Sequence, residues 1–193
     1  MALLRSEPGM VVVGSAERSD QALERSRRGR PEVVLVDYHL PDGDGLQLCR
    51  ALKRQRSPYV LVYSAFADSE LAVSARLAGA DGLVDKSTPT EQLFSCLRRV
   101  YCGEKVFPTL SAQVKAASAA RLERRDLPIL SMLVDGTPKT DIAEVLQMSE
   151  SQLEDRLGTI LDRLKVQGRP VEPTPSRFGQ VTGSGKDAAV GRA

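Results

Sequence analysis

The chain has 193 residues, 41% of them hydrophobic and 27% charged, enough for a packed core in one ordinary domain plus a small one, which excludes global disorder. A formal net charge of +2 neither demands nor excludes a nucleic-acid partner, and no apolar run approaches the length of a membrane span. Met1 is not followed by a signal-peptide core, and Cys49, Cys96 and Cys102 show no metal-ligand spacing. An odd, unpatterned set of thiols fits a reducing cytosol, so a cytoplasmic location is expected.

Residues 10–16 (MVVVGSA), 33–38 (VVLVDY) and 59–65 (YVLVYSA) are near-continuous β-branched runs, as strands buried on both faces should be, and 82–86 (GLVDK) is a weaker fourth. Helical patterns fill 19–30, 43–55 and 68–80. A last helix is expected with Thr88 as N-cap, Pro89 at its first position and Glu91 closing a capping box, followed by Leu93, Cys96, Leu97 and Val100 at the helical period. This alternation predicts an α/β doubly wound parallel sheet over residues 1–105. Residues 106–121 are small and weakly patterned and read as a linker, partly helical. From Leu122 to Val166 the pattern is helical only. Leu127, Leu130, Leu133 and Val134 form one stripe, and Thr137-Pro138 opens a second helix with Ile142, Val145 and Leu146 on one face. Ser149-Glu150-Ser151-Gln152 is a capping box that opens a third, with Leu153, Leu157, Ile160, Leu161 and Leu164 aligned. Short turns between these helices describe a small all-α helix-turn-helix domain. Residues 167–193 carry prolines, glycines and polar residues without period, and a disordered tail is expected.

In open parallel sheets function gathers at the carboxyl ends of the strands. Asp37, Ser64 and Lys86 each fall at such an end. A lone strand-end Asp is ordinarily a cap or turn former; an Asp, a hydroxyl and a Lys at one edge form a phosphoryl-transfer constellation. The carboxylate is the nucleophile, and the hydroxyl and ammonium hold the phosphoryl oxygens.

The segments VVLVDYHLPDGDGL, VLVYSAFAD and AGADGLVDKSTPTEQL resemble the receiver of NarL/FixJ-type two-component response regulators, and LERRDLPILSMLVDGTPKTDIAEVLQMSESQLEDRLGTILDRLKV resembles their LuxR-type helix-turn-helix. The resemblance covers residues 2–166. It implies a flavodoxin-like receiver with Asp37 as acceptor of phosphate from a sensor histidine kinase, Ser64 as switch hydroxyl and Lys86 as phosphate-binding lysine. Leu83 stands where the family often carries an aromatic. The resemblance also implies a recognition helix at 150–165, promoter DNA as partner, a homodimer, and a phosphorylation-controlled transcription factor rather than an enzyme. His39 is the only histidine, and no nucleophile–base pair appears.

Two departures follow from the same resemblance. Residues 2–10 look like the end of the first receiver helix, so the first strand, expected between the second and third, is missing with its acidic pair. Asp37 is then the only metal ligand, since Asp42 and Asp44 lie in the following turn; Mg2+ is expected only if a full-length receiver exists, and an upstream start is expected. The missing strand should leave a central gap of unpaired backbone unless the second strand shifts or a partner supplies one. At the other end, the fourth helix of the family's DNA-binding domain is expected to be absent or very short.

The segment 122–166 carries 6 basic and 9 acidic side chains. Its recognition helix is expected to present Ser151, Gln152, Asp155 and Arg156 to DNA, with Lys139 and Arg163 as further contacts. Gln152 suits adenine and Arg156 guanine. Glu154, where the family commonly has lysine, and Asp155 work against an anionic groove. A competing reading is a degenerate, phosphorylation-independent receiver that serves as a protein-interaction module with weak or no DNA binding.

Overall fold

The computed structural model describes residues 2–55, 58–164 and 188–192. In chain order the elements are α1 (Ala2–Ser6), β1 (Val11–Ala16), α2 (Ser19–Gly29), β2 (Val33–Asp37), a small hairpin of β3 (His39–Leu40) and β4 (Gly43–Asp44), and α3 (Gly45–Gln55). There follow β5 (Tyr59–Ser64), α4 (Ser69–Leu77), β6 (Gly82–Asp85) and α5 (Thr90–Tyr101). Beyond these come α6 (Ala112–Ala120), a 3-10 turn (Arg124–Asp126), α7 (Leu127–Val134), α8 (Lys139–Val145), α9 (Glu150–Leu164) and β7 (Ala188–Arg192). No described helix is long and apolar enough to cross a membrane.

Two compact units emerge. One is built from 1–67, 79–107 and β7; the other gathers 68–78 with the chain from 108 to the end of α9. The first is the expected doubly wound sheet. Strands β2, β5 and β6 pair in parallel, with Val33 opposite Tyr59 and Leu61 opposite Gly82. Their side chains alternate between two faces. Leu35, Leu61, Tyr63 and Val84 form one core with Leu93, Phe94, Leu97 and Val100 of α5 and with Leu4 of α1. Val34, Val36, Val60 and Val62, all buried, belong to the opposite face, and α3 packs on β2 and β5.

The order across the sheet is β1-β7-β2-β5-β6. This corrects two expectations. Residues 188–192 of the anticipated disordered tail are a strand, and they fill the anticipated gap: β7 runs antiparallel to β1 on one side and to β2 on the other, with Val190 opposite both Gly14 and Val34. The physical reason is the cost of unpaired backbone. Two parallel strands one strand-width apart each present a row of N–H and C=O groups, and any extended segment satisfies both rows. The remainder of the expected tail, and the place of a fourth helix after α9, lie outside the described residues.

Two smaller differences concern helices. Pro89 is the N-cap of α5, not its first residue, and the helix starts at Thr90 without a side-chain cap, so the Thr88–Glu91 capping box does not form. The segment expected as the third helix of the α/β domain, now α4, groups with the second unit. Leu71, Ala72, Val73, Ser74, Ala75 and Leu77 of α4 are all buried, so it has no solvent stripe, and its small residues allow close packing on α6, α7 and α9. The expected linker 106–121 is partly helical, through α6, and Val106 bridges to Gly82 beside β6. In the helical unit the Ser149 capping box forms as anticipated: Gln152 N–H donates to Ser149 Oγ at 3.2 Å, and Ser149 N–H to Gln152 Oε1 at 2.8 Å.

Because Val190 is paired on both sides, Val190→Pro removes a backbone donor from an interior strand. The expected cost is about 1–3 kcal/mol for the partner left without its hydrogen bond, measured as a lower urea midpoint together with lost amide protection along β1 and β2. Unchanged protection would show that β7 carries no part of the sheet.

Candidate functional site

Asp37, Ser64 and Lys86 come together at the carboxyl edge of β2, β5 and β6. Asp37 is the last residue of β2 and is 7% exposed; Ser64 ends β5 and is fully buried; Lys86 follows β6 directly. Lys86 Nζ lies 2.5 Å from Asp37 Oδ2, and the other carboxylate oxygen accepts the His39 N–H at 3.0 Å. Lys86 N–H donates to the Ser64 carbonyl at 2.7 Å, which fixes the lysine beside β5. The ammonium also lies 5.7 Å from the centroid of the Tyr63 ring, whose hydroxyl donates to the Lys86 carbonyl at 3.3 Å. Such cation–ring contact adds a second weak hold on the charge. Ser64 Oγ accepts the Phe66 N–H at 3.1 Å, closing a turn over the site.

Local sequence explains these positions. Gly45 opens α3 against the end of β2, where an added Cβ would lie 2.2 Å from the Asp37 carbonyl oxygen and 2.9 Å from Val36 Cγ1. Only glycine permits that approach. Asp42 and Asp44, in the adjoining hairpin, are occupied as helix caps: Asp42 Oδ2 accepts Ser19 N–H at 2.9 Å at the start of α2, and Asp44 Oδ1 accepts Gln47 N–H at 2.8 Å in α3. Asp85 braces the neighbouring loops by accepting from Ser87 N–H at 2.7 Å and Ala67 N–H at 3.3 Å. Burial opposes its charge, but the hydrogen bonds from Ser87 and Ala67 outweigh it and hold the carboxyl below the usual aspartate range.

The residues present do not fit the magnesium that the resemblance implies. Both Asp37 oxygens are engaged, by an ammonium and by an amide. Among the described residues no group of three His, Cys, Asp or Glu side chains could hold a metal ion, whereas Mg2+ demands octahedral oxygen coordination.

In the helical unit, Ser151 and Gln152 are exposed at the start of α9 as expected, with the Gln152 carbonyl oxygen engaged in the capping box. Each of the expected cations has an anionic partner within the unit. Arg156 Nε lies 2.5 Å from Asp126 Oδ1 and Arg163 Nη1 3.2 Å from Asp126 Oδ2, while Arg163 also reaches Glu123. Asp126 is fully buried. In the free chain both guanidinium groups are thus paired with this buried carboxylate and offset its charge. The hydrogen bond from Arg163 holds the Glu123 carboxyl below its usual range. Lys139 Nζ sits 2.5 Å from Glu154 Oε1. Two buried carboxylates escaped the sequence reading, Asp126 and Asp81. Asp81 is clamped by Lys53 and Lys105, each at 2.6 Å, and accepts Val60 N–H at 2.7 Å.

Residues 1–98 match the family model described as response regulator receiver domain. Curated relatives include the nitrate/nitrite response regulator protein NarL of Escherichia coli, 28% identical over 179 residues and aligned over 86% of this chain and 83% of that protein. The DNA-binding transcriptional activator DevR/DosR of Mycobacterium tuberculosis is 28% identical over 178 residues, covering 86% of this chain and 82% of its own. Among solved structures, a LuxR-family two-component response regulator from an Aurantimonas species superposes with a TM-score of 0.52 at 25% identity, covering 63% of this chain and 86% of that one. The Salmonella typhimurium response regulator RcsB, at 20% identity and a TM-score of 0.51, shares the fold over 87% of this chain and 86% of its own.

Lys86→Met leaves the Asp37 carboxylate buried without its cation. The expected loss is about 3 kcal/mol in urea titration of the first unit, and adding Asp37→Asn should restore most of it. Equal effects alone and combined would show that the two side chains do not interact. Asp85 gives a pH signature. Its folded pKa is lowered, so its contribution is complete above the unfolded value and lost as pH falls through the folded one. Asp85→Asn is therefore expected to be less stable than the parent at neutral pH and to converge with it in acid.

Proposed function

The chain belongs to the response regulator receiver family, and from that premise we propose that it is a transcription factor of a two-component phosphorelay, its DNA binding controlled by phosphorylation of Asp37. The contact of Asp37 with Lys86 at 2.5 Å, beside Ser64, is the observation that carries this reading. The phosphoryl donor is the phosphohistidine of a sensor histidine kinase. A carboxylate oxygen of Asp37 attacks phosphorus, the P–N bond breaks with its electron pair returning to the imidazole, and an acyl phosphate forms.

Lys86 already stands at the carboxylate and needs only to turn from its oxygen to the new phosphoryl oxygens. Ser64, at present the acceptor for Phe66 N–H, would donate its hydroxyl hydrogen to the phosphoryl group and draw the 64–67 turn inward. The relatives named as a response regulator and as a DNA-binding transcriptional activator support promoter DNA as the target, met by α8 and α9 with Ser151 and Gln152 foremost and Lys139 on a phosphate. Arg156 and Arg163 are the further cations proposed for the DNA face, each paired with Asp126 in the free chain. A homodimer on DNA and a cytoplasmic location complete the reading; free thiols at Cys49, Cys96 and Cys102 accord with the latter.

Incubation with acetyl phosphate, with and without Mg2+, is expected to add one phosphoryl group to the wild type and none to Asp37→Asn, read by intact mass. Phosphorylation is expected to strengthen binding to a promoter-length duplex. Labelling of the Asn variant to the same extent, or of neither protein, would remove Asp37 from the role.

A further inference from the structure

We infer that Glu154 is a built-in competitor of DNA for Lys139, so that the helix-turn-helix engages the phosphate backbone only by exchanging one ion pair for another. This rests on the DNA-binding reading above. Lys139 is the first residue of α8, and Glu154 lies near the start of α9. Their charged atoms are 2.5 Å apart, and both side chains are shielded from water, at 29% and 24% exposure. The pair is therefore less screened than a surface ion pair.

A lysine at the first position of a helix faces the positive end of the helix dipole, and a carboxylate in contact offsets that repulsion. The geometry makes Glu154 a stand-in for a phosphate oxygen at the place where the lysine would meet DNA. The other two cations expected at the groove are committed in the same way, Arg156 to Asp126 and Arg163 to Asp126 and Glu123.

The thermodynamic consequence is specific. A lysine that neutralises a phosphate ordinarily releases one condensed cation, contributing about 0.9 to the slope of log affinity against log salt. When Lys139 leaves Glu154, the uncovered carboxylate recruits a cation in turn. The net release is close to nil, and the contact adds little affinity.

The test uses the full chain and a random-sequence duplex, with binding read by fluorescence anisotropy over a salt series. Glu154→Gln is expected to bind about tenfold tighter at low salt than the parent, with a slope steeper by about 0.9. Lys139→Met is expected to cost little in the parent and to abolish the whole gain in Glu154→Gln. Glu154→Ala should repeat the gain, and far-ultraviolet circular dichroism checks that α9 is retained in each. Equal slopes for parent and Glu154→Gln, or additive effects of the two substitutions, would overturn the inference while leaving DNA binding in place. No binding by any variant would overturn the DNA-binding reading itself, and the competition with it.

Discussion

Backbone pairing across the middle of the sheet is the constraint on which the first unit depends. Strand β2 carries Asp37 and is held on one side by β5, in parallel, and on the other by β7, antiparallel. Each interior amide and carbonyl left without a partner in such a strand costs free energy comparable to a lost hydrogen bond. Without β7, both β1 and the outer side of β2 would present such groups to each other across a void. With it, β2 is interior, its Val34 and Val36 are fully shielded, and the carboxylate at its end has a fixed position. The rigidity of the Asp37 site is thus inherited from a ladder made largely by alanine, valine and glycine backbone.

Electrostatics in both units follow one pattern: a buried carboxylate held by cations from distant parts of the chain. Asp37 meets Lys86, Asp81 meets Lys53 and Lys105, and Asp126 meets Arg156 and Arg163. The pattern serves different ends. Asp81 sits at the opposite edge from Asp37 and ties β5, α3 and the exit from α5 together, with Val106 N–H donating to its carbonyl at 2.9 Å. At Asp37 a single lysine serves, near the surface, where a phosphoryl group can take over the cation. At Asp126 two arginines converge on a fully buried group. Removing Lys86 leaves Asp37 without a cation, whereas Asp81 and Asp126 each keep a second, and a phosphoryl group offers a replacement anion only at Asp37.

The parts legible in the sequence were those in which chemistry and local periodicity coincide. Three β-branched runs announced β1, β2 and β5, and the ends of β2, β5 and the weaker β6 run gave Asp37, Ser64 and Lys86, because a parallel sheet sends all its carboxyl ends to one edge. The Ser149–Gln152 cap was equally local. Partners separated by long stretches of chain were not legible: Asp126 lies 30 residues from Arg156 and 37 from Arg163, and two residues before Pro128 it resembles an ordinary helix-start acid. The pairing of Arg156 and Arg163 with it consequently left no local signal. Strand β7 was illegible for a different reason. Ala-Ala-Val-Gly-Arg has neither alternation nor bulk, and it is a strand because of where it pairs. The helix α4 was visible, but its grouping with the second unit was not, since small residues pack on helix and sheet alike.

The position of β7 also sets a timetable for synthesis. Val11 finds its cross-strand partner only at Arg192. On a ribosome, β1, β2 and β5 emerge long before that partner has been translated, so the sheet waits with two open edges facing one another until residues 188–192 follow. Closing so long a loop is slow compared with forming local helices, which places this pairing late in folding. During that interval the half-sheet depends on chaperones or on rapid helix packing to avoid pairing with the wrong neighbour. A chain cut before Ala188 would carry every site residue in its sequence and lack the strand between β1 and β2.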